Sequence, residues 1–283
     1  MGGSLLFMAW SRALGRVGEL LFLPWLNRVF AMEESRPGLL RIPDLSKSFR
    51  ELCALDSLTL SLEEGESLAL LGPNGAGKTT ALRLLMGELV PDRGEARVFG
   101  HDCFREHAEV MRYVGYVPDD PLFLDRILGW ELIHFAGSMR GMEEGEIQKR
   151  AGALAERWDF LDALDQDPAG YSRGMRRKLA LILALLHEPA LLLLDEPTIG
   201  LDPIATKVLQ EVLEEERRRG MGVFLSTQLL ERAERMADRV AILVEGKLVA
   251  SGTLEELKSQ LAPGGSLEEV FFKVVAPQGV QEG

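Results

Sequence analysis

Eight residues constrain this chain more than any others: Gly72-Pro73-Asn74-Gly75-Ala76-Gly77-Lys78-Thr79. They follow a compact apolar run, Ser67–Leu71, and lead into a segment of helical character, Thr79–Gly87. The run fits G-x-x-x-x-G-K-[ST]. Its glycines let the backbone wrap tightly with N–H groups pointing inward, which makes a nest for anions. The following helix aims its positive N-terminus at the same point. Lys78 adds a mobile positive charge suited to β- and γ-phosphates, and Thr79, followed by Thr80, offers a hydroxyl to Mg²⁺. The pattern of strand, glycine turn and helix is the opening of an α/β unit whose strand is buried on both faces.

The rest of the chain agrees with that opening. Leu40–Leu45 and Ala54–Leu62 read as short strands, and Gly94–Gly100 as a hairpin-like stretch. Val114–Val117 is a short strand ended by Pro118. Residues 119–171 differ in kind. Leu132, Ile133, Phe135, Ala136 and Met139, then Ile147, Ala151, Leu154 and Trp158, recur at helical spacing with little strand signal, which predicts an inserted helical subdomain. Ser172–His187 reads as a long helix, Leu191–Leu194 as a buried parallel strand, Ile204–Arg219 as a helix and Gly222–Ser226 as a strand. A helix over Leu229–Met236 and a hairpin over Val240–Val244 and Lys247–Ala250 follow. Alternating strands and helices predict an α/β core with a mostly parallel sheet, joined by an antiparallel β subdomain and the helical insertion.

The expected division is an N-terminal extension over 1–38, a core over 39–255 and a C-terminal tail over 256–283. The extension is rich in Leu, Phe and Trp but interrupted by Arg12, Arg16, Glu19, Pro24 and Arg28. It reads either as an amphipathic surface segment or as residues preceding a start at Met32. In the 283-residue chain, 44 acidic residues outnumber 32 basic ones, a net charge of −12. That balance argues against a protein that coats nucleic acid. The two cysteines, Cys53 and Cys103, stand outside any Cys/His cluster, which rules out a disulfide scaffold.

A second chemical feature lies 117 residues beyond Lys78. Leu191–Leu194 delivers Asp195 and Glu196 to a strand's C-terminal end, where ligands bind in open α/β sheets. Adjacent carboxylates there suit two tasks. Asp195 is assigned to the metal, and Glu196 to the general base that polarises an attacking water. Ser172 and Gly174 open a helix with a basic first turn, which taken alone reads as an N-capped helix and, beside the other two motifs, as an anion-binding end.

Together these segments resemble the nucleotide-binding subunits of ABC transporters, over about Leu39–Val275. Gly72–Thr80 and Leu191–Pro203 are similar to that family almost letter for letter, and Tyr171-Ser172-Arg173-Gly174-Met175 stands in the place of its signature sequence, usually Leu-Ser-Gly-Gly-Gln. The resemblance implies a P-loop NTPase core of ABC type, with ATP and Mg²⁺ as ligands and ATP hydrolysis as the activity. ATP would lie between Gly72–Thr80 of one copy and Ser172–Gly174 of a second nucleotide-binding subunit, in a homodimer or heterodimer. It also implies that Phe49 stacks on adenine and that Gly200-Leu201-Asp202 forms the loop through which subunits communicate. The permease would be a separate transmembrane polypeptide, docked on 119–141, with this chain peripheral on the cytoplasmic face. Leu122, Phe123, Leu124, Trp130 and Phe135 would supply that surface, with at least half of them serving as subdomain core. Ser266–Phe271 is similar to the ending of subunits paired with exporter-type (ABC-2-like) permeases.

Two positions depart from the family. Asp119 stands where Gln, sometimes Glu, contacts Mg²⁺ and the water; an Asp retains an oxygen ligand there. Gln228 stands where a His contacts the γ-phosphate. It donates a hydrogen bond but neither carries a positive charge nor exchanges a proton near neutral pH. Losing a charge-capable donor costs on the order of 1–3 kcal/mol of transition-state stabilisation, about one to two decades in rate. The alternative reading is therefore a regulatory subunit whose degenerate site binds ATP and hydrolyses little of it.

Overall fold

The computed structural model describes residues 38–124 and 126–275. The expectations for 1–37 and beyond 275 lie outside the described residues. Two sheets organise the chain. β1 (Leu40–Phe49), β2 (Leu52–Leu62), β4 (Arg97–Val98) and β5 (His101–Asp102) form an antiparallel sheet in the order β2-β1-β4-β5. The second sheet runs β10-β9-β3-β8-β7-β6. It contains β3 (Ser67–Leu71), β6 (Val114–Val117), β7 (Leu191–Asp195), β8 (Gly222–Thr227), β9 (Arg239–Val244) and β10 (Lys247–Thr253). Every pair in it is parallel except β9 with β10, the hairpin at one edge. The mostly parallel core and the antiparallel subdomain are both present.

Composition explains the depth of each strand. Every residue of β3, β7 and β8 is buried, as expected of strands covered on both faces. Leu68, Leu70, Leu191, Leu193 and Phe224 pack toward the antiparallel sheet and α1 (Lys78–Leu85). Alternate residues of the same strands, Ala69, Leu71, Leu192, Leu194, Val223 and Leu225, pack on the other side. There they meet the helices α5 (Arg173–Leu185) and α6 (Pro203–Arg218) and part of the inserted helical segment. The strand period of two thus divides one sheet between two cores.

The insertion holds α3 (Gly129–Met139), α4 (Glu144–Arg157) and two short 3₁₀ turns, Leu161–Asp165 and Pro168–Gly170. A short α2 (His107–Val110) precedes it. Spacing identified the helices but not every inward face. Leu132, Ile133, Ile147, Ala151 and Trp158 are buried, whereas Phe135 is 57% exposed and Met139 faces solvent. Leu122 (84%) and Leu124 (63%) are also exposed, and only Phe123 and Trp130 of the five apolar residues singled out rest against the core. Core packing therefore accounts for fewer of them than expected.

Elsewhere the structure extends the sequence reading. The first hairpin reaches Phe49 and Leu52 through the polar stretch Ser46–Ser48, whose register shifts hid it from an alternation test. Beyond β10 lie α7 (Leu230–Met236)'s neighbours α8 (Leu254–Leu261) and α9 (Leu267–Val275). Leu257, Ala262, Leu267 and Val270 are buried in the larger core, so residues past 255 add to the packed body. Among the described residues no helix is long and apolar enough to cross a membrane.

Leu193 sits at the centre of β7 with no solvent exposure. Leu193→Ala is expected to lower the unfolding free energy by about 2–5 kcal/mol, from lost burial plus a residual cavity. Urea denaturation followed by tryptophan fluorescence measures this.

Candidate functional site

The site grows out of three neighbouring strand ends. β3 lies beside β8 and β8 beside β7, with Leu71 opposite Thr227 and Asp195 opposite Ser226. The glycine loop, the Ser226-Thr227 pair and the two carboxylates therefore leave the sheet at the same level and on the same edge. The loop is locked from outside: Gly77 has φ of 108°, and a Cβ there would come within 2.2 Å of the Ala54 carbonyl in β2. The Gly246 N–H donates to the Ala76 carbonyl at 3.0 Å. α1 then starts at Lys78 with no side-chain cap, so no side chain of this chain occupies its first N–H groups.

Lys78 is buried, and its Nζ donates to the carbonyls of Gly72 (2.8 Å) and Pro73 (3.0 Å), closing the loop. Burial lowers the pKa of its ammonium from the usual lysine value, while Glu196 and Asp195 pull it the other way. The Thr79 hydroxyl donates to Asp195 Oδ2 at 3.1 Å, and the Ser226 hydroxyl donates to Asp195 Oδ1. Glu196 is held independently. Its Oε1 accepts the Gln228 backbone N–H at 2.8 Å and its Oε2 accepts the Thr227 hydroxyl at 3.1 Å. Adjacent carboxylates in sequence thus occupy different hydrogen-bond networks.

A Mg²⁺ ion fits this donor set. Among the described residues no group of three or more His, Cys, Asp or Glu could hold a metal by itself. Mg²⁺ keeps several waters and takes one or two protein oxygens beside phosphates, so the Thr79 hydroxyl and Asp195 carboxylate suffice. Asp119 is placed otherwise. Its carboxylate pairs with Arg173 (3.3 Å) and Arg177 (3.4 Å) on α5. Arg177 is fully buried and also donates to the carbonyls of Pro118, Asp119 and Asp195. The Asp119 carboxylate thus finds two guanidinium partners on α5.

The other expected residues fall in two places. Phe49 sits at the tip of the hairpin whose β2 strand abuts the loop; it is 42% exposed and Lys47 Nζ lies 5.6 Å from its ring centre. Ser172 caps α5 by accepting the Met175 N–H at 3.2 Å. Gly174 has a reason within this chain, since a Cβ there would approach the Gly200 carbonyl to 2.7 Å. No hydrogen bond joins Ser172 or Gly174 to the glycine loop among the described residues. The Gln228 side chain is exposed and makes no hydrogen bond there; its contribution to Glu196 is through the backbone.

Sequence reading gave no role to Ser226, Thr227 or Arg177. The hydroxyls were detectable as polar residues ending an apolar parallel strand. Arg177 lies one helical turn after Arg173, on the face that meets Asp119.

A family model described as ABC transporter matches residues 55–199. The chain belongs to the ABC transporter family. It is 37% identical to the ABC transporter ATP-binding protein YxlF of Bacillus subtilis, over 78% of this chain and 73% of that one. It is 35% identical to the human phospholipid-transporting ATPase ABCA7 over 81% of this chain, which spans only 11% of that much longer protein. A solved structure of an ATP-binding subunit of an ABC transporter superposes with a TM-score of 0.80 at 33% identity, covering 83% of this chain and 99% of that one. This chain is accordingly an ATP-binding subunit of an ABC transporter.

Arg177→Gln is expected to cost about 2–3 kcal/mol of folding stability, because it leaves buried carbonyls unpaired. Asp119→Asn, at a half-exposed carboxylate, is expected to cost under about 1 kcal/mol. Chemical denaturation of the two variants checks the order.

Proposed function

We propose that this subunit hydrolyses ATP at an interface with a second nucleotide-binding subunit and thereby moves a separate membrane permease. The observation that carries the reading is the separation of Asp195 from Glu196. One carboxylate faces Thr79 and the glycine loop; the other is fixed by Thr227 and the Gln228 N–H. A nucleotide site that only binds needs the first arrangement, and the second is what a general base requires.

In this reading the loop Gly72-Pro73-Asn74-Gly75-Ala76-Gly77 and the start of α1, from Lys78 through Thr79 and Thr80, cradle the triphosphate. Phe49 stacks on the adenine. Thr79 and Asp195 hold Mg²⁺, which when bound neutralises phosphate charge. Glu196 orients the attacking water and takes its proton, while Lys78 stabilises charge on the transferring phosphoryl group. The arginine pairing of Asp119 supports a role in placing the segment after β6, with Mg²⁺ held by the other two residues. Ser172 and Gly174 lie at a helix N-terminus with no hydrogen bond to this chain's own loop, which supports their use on ATP held by a partner copy.

The exposed Leu122, Leu124 and Phe135 support the permease contact on 119–141, and the chain would work at the cytoplasmic face of the membrane. The α9 helix carries the segment similar to exporter-type subunits. A second reading, a slow regulatory site, rests on the unengaged Gln228 side chain. Steady-state turnover decides between them. Glu196→Gln is expected to lower kcat by about 10²- to 10⁴-fold while leaving Mg·ATP binding intact. Wild-type turnover no faster than that of Glu196→Gln would favour the regulatory site.

A further inference from the structure

Glu196 has one charged neighbour that the sequence reading passed over. Arg232, on α7, lies four residues past Gln228, with its Nη1 3.8 Å from Glu196 Oε2. That separation is beyond hydrogen-bond reach. Arg232 Nη1 is itself buried and has no hydrogen-bond partner. No other ion pair of Arg232 occurs among the described residues, although neighbouring charges on and after the helix are committed: Glu234 to Lys258 and Asp238 to Arg217. A buried guanidinium N–H without an acceptor is costly, and native structures keep few of them.

The surroundings of Glu196 show what this group is aimed at. The residue adopts a left-handed backbone with φ of 46°, which costs a non-glycine residue energy and persists where neighbours over-determine it. Its N–H donates to the Ser226 carbonyl at 3.1 Å, and its own carbonyl accepts the Ile199 N–H at 3.1 Å. The carboxylate is thus delivered to one place, with one neutral donor on each oxygen. What those donors lack is positive charge, and Gln228 does not supply it.

We propose that Arg232 is a positioning residue for hydrolysis, supplying beside Glu196 the fixed positive charge that Gln228 lacks. The proposal rests on the reading of Glu196 as the general base. A triphosphate in the glycine loop repels the nearby carboxylate. A guanidinium behind that carboxylate offsets the repulsion and fixes the rotation of its oxygens toward the water. An arginine suits the task because its charge does not titrate and its planar fork matches a carboxylate.

The test is steady-state ATP turnover by the full chain. The variants are Arg232→Gln, Arg232→Lys and the double variant Arg232→Gln/Gln228→His, with fluorescent-nucleotide binding and thermal unfolding measured on each. Arg232→Gln is expected to lower kcat about ten-fold or more, with the KM for ATP within about two-fold of wild type. Arg232→Lys is expected to recover most of the loss, and Gln228→His is expected to rescue Arg232→Gln by returning a charge-capable group to the site. A kcat for Arg232→Gln within two-fold of wild type overturns the proposal. So does a parallel fall in kcat, nucleotide affinity and unfolding temperature that Lys does not rescue, which would mark a merely structural strap. In either case, wild-type turnover that depends on Glu196 leaves the hydrolysis reading standing. A wild-type chain that binds Mg·ATP without turnover overturns both.

Discussion

The hydrogen bond from Thr79 to Asp195 joins residues 116 positions apart, and the rest of the site is arranged around it. It exists because β7, which ends in Asp195, and β3, whose glycine loop leads to Thr79 on α1, flank a third strand, β8, and all three end at one level. Parallel strands place their C-terminal ends along a single sheet edge, so residues distant in sequence meet there without a dedicated loop between them. Ser226 and Thr227, on the middle strand, each hold one of the two carboxylates. The hydroxyls sort Asp195 and Glu196 into two separate hydrogen-bond networks, one reaching Thr79 and the other the Gln228 N–H. Such preorganisation is what lowers the cost of charge development during phosphoryl transfer.

The glycine loop depends on the same packing from the opposite side. It rests on β2 and on the β9–β10 hairpin, and the contact of Gly77 with the Ala54 carbonyl shows how little room remains. The antiparallel sheet therefore does more than cover the core. It holds the outer wall of the loop and presents Phe49 from the hairpin end. A similar economy joins the helical insertion to the sheet: Arg177 gathers the ends of β6 and β7 onto the helix that Ser172 caps. Movement of that helix would be felt at Asp119 and at the carbonyl of Asp195.

Much of this was legible in the sequence, for identifiable reasons. Ser67–Leu71 and Leu191–Leu194 are short, wholly apolar and followed at once by chemistry-bearing residues, so buried strand, strand end and site residues all coincide. The phosphate loop carries its own geometry in its glycines. The arginines beside Asp119 and Glu196 were not legible. Arg177 and Arg232 look like ordinary helix-surface charges in sequence, and only the crossing of α5 and α7 over the strand ends brings them to a carboxylate. The division of apolar residues between core and surface in 122–139 was similarly hidden. Helical spacing gives a period, and which side faces the core depends on where α5 lies. The polar half of β1 escaped because its register shifts break the two-residue alternation.

The central claim is that a nest of backbone amides closed by Lys78 binds a triphosphate beside Thr79 and Asp195. Isothermal titration of the full chain with Mg·ATP tests it most directly, with Lys78→Ala in parallel. The account predicts saturable one-site binding that Lys78→Ala abolishes or weakens at least about a hundred-fold, the equivalent of roughly 2.7 kcal/mol. Binding of equal strength in both proteins, or no saturable heat in the wild type, would contradict it.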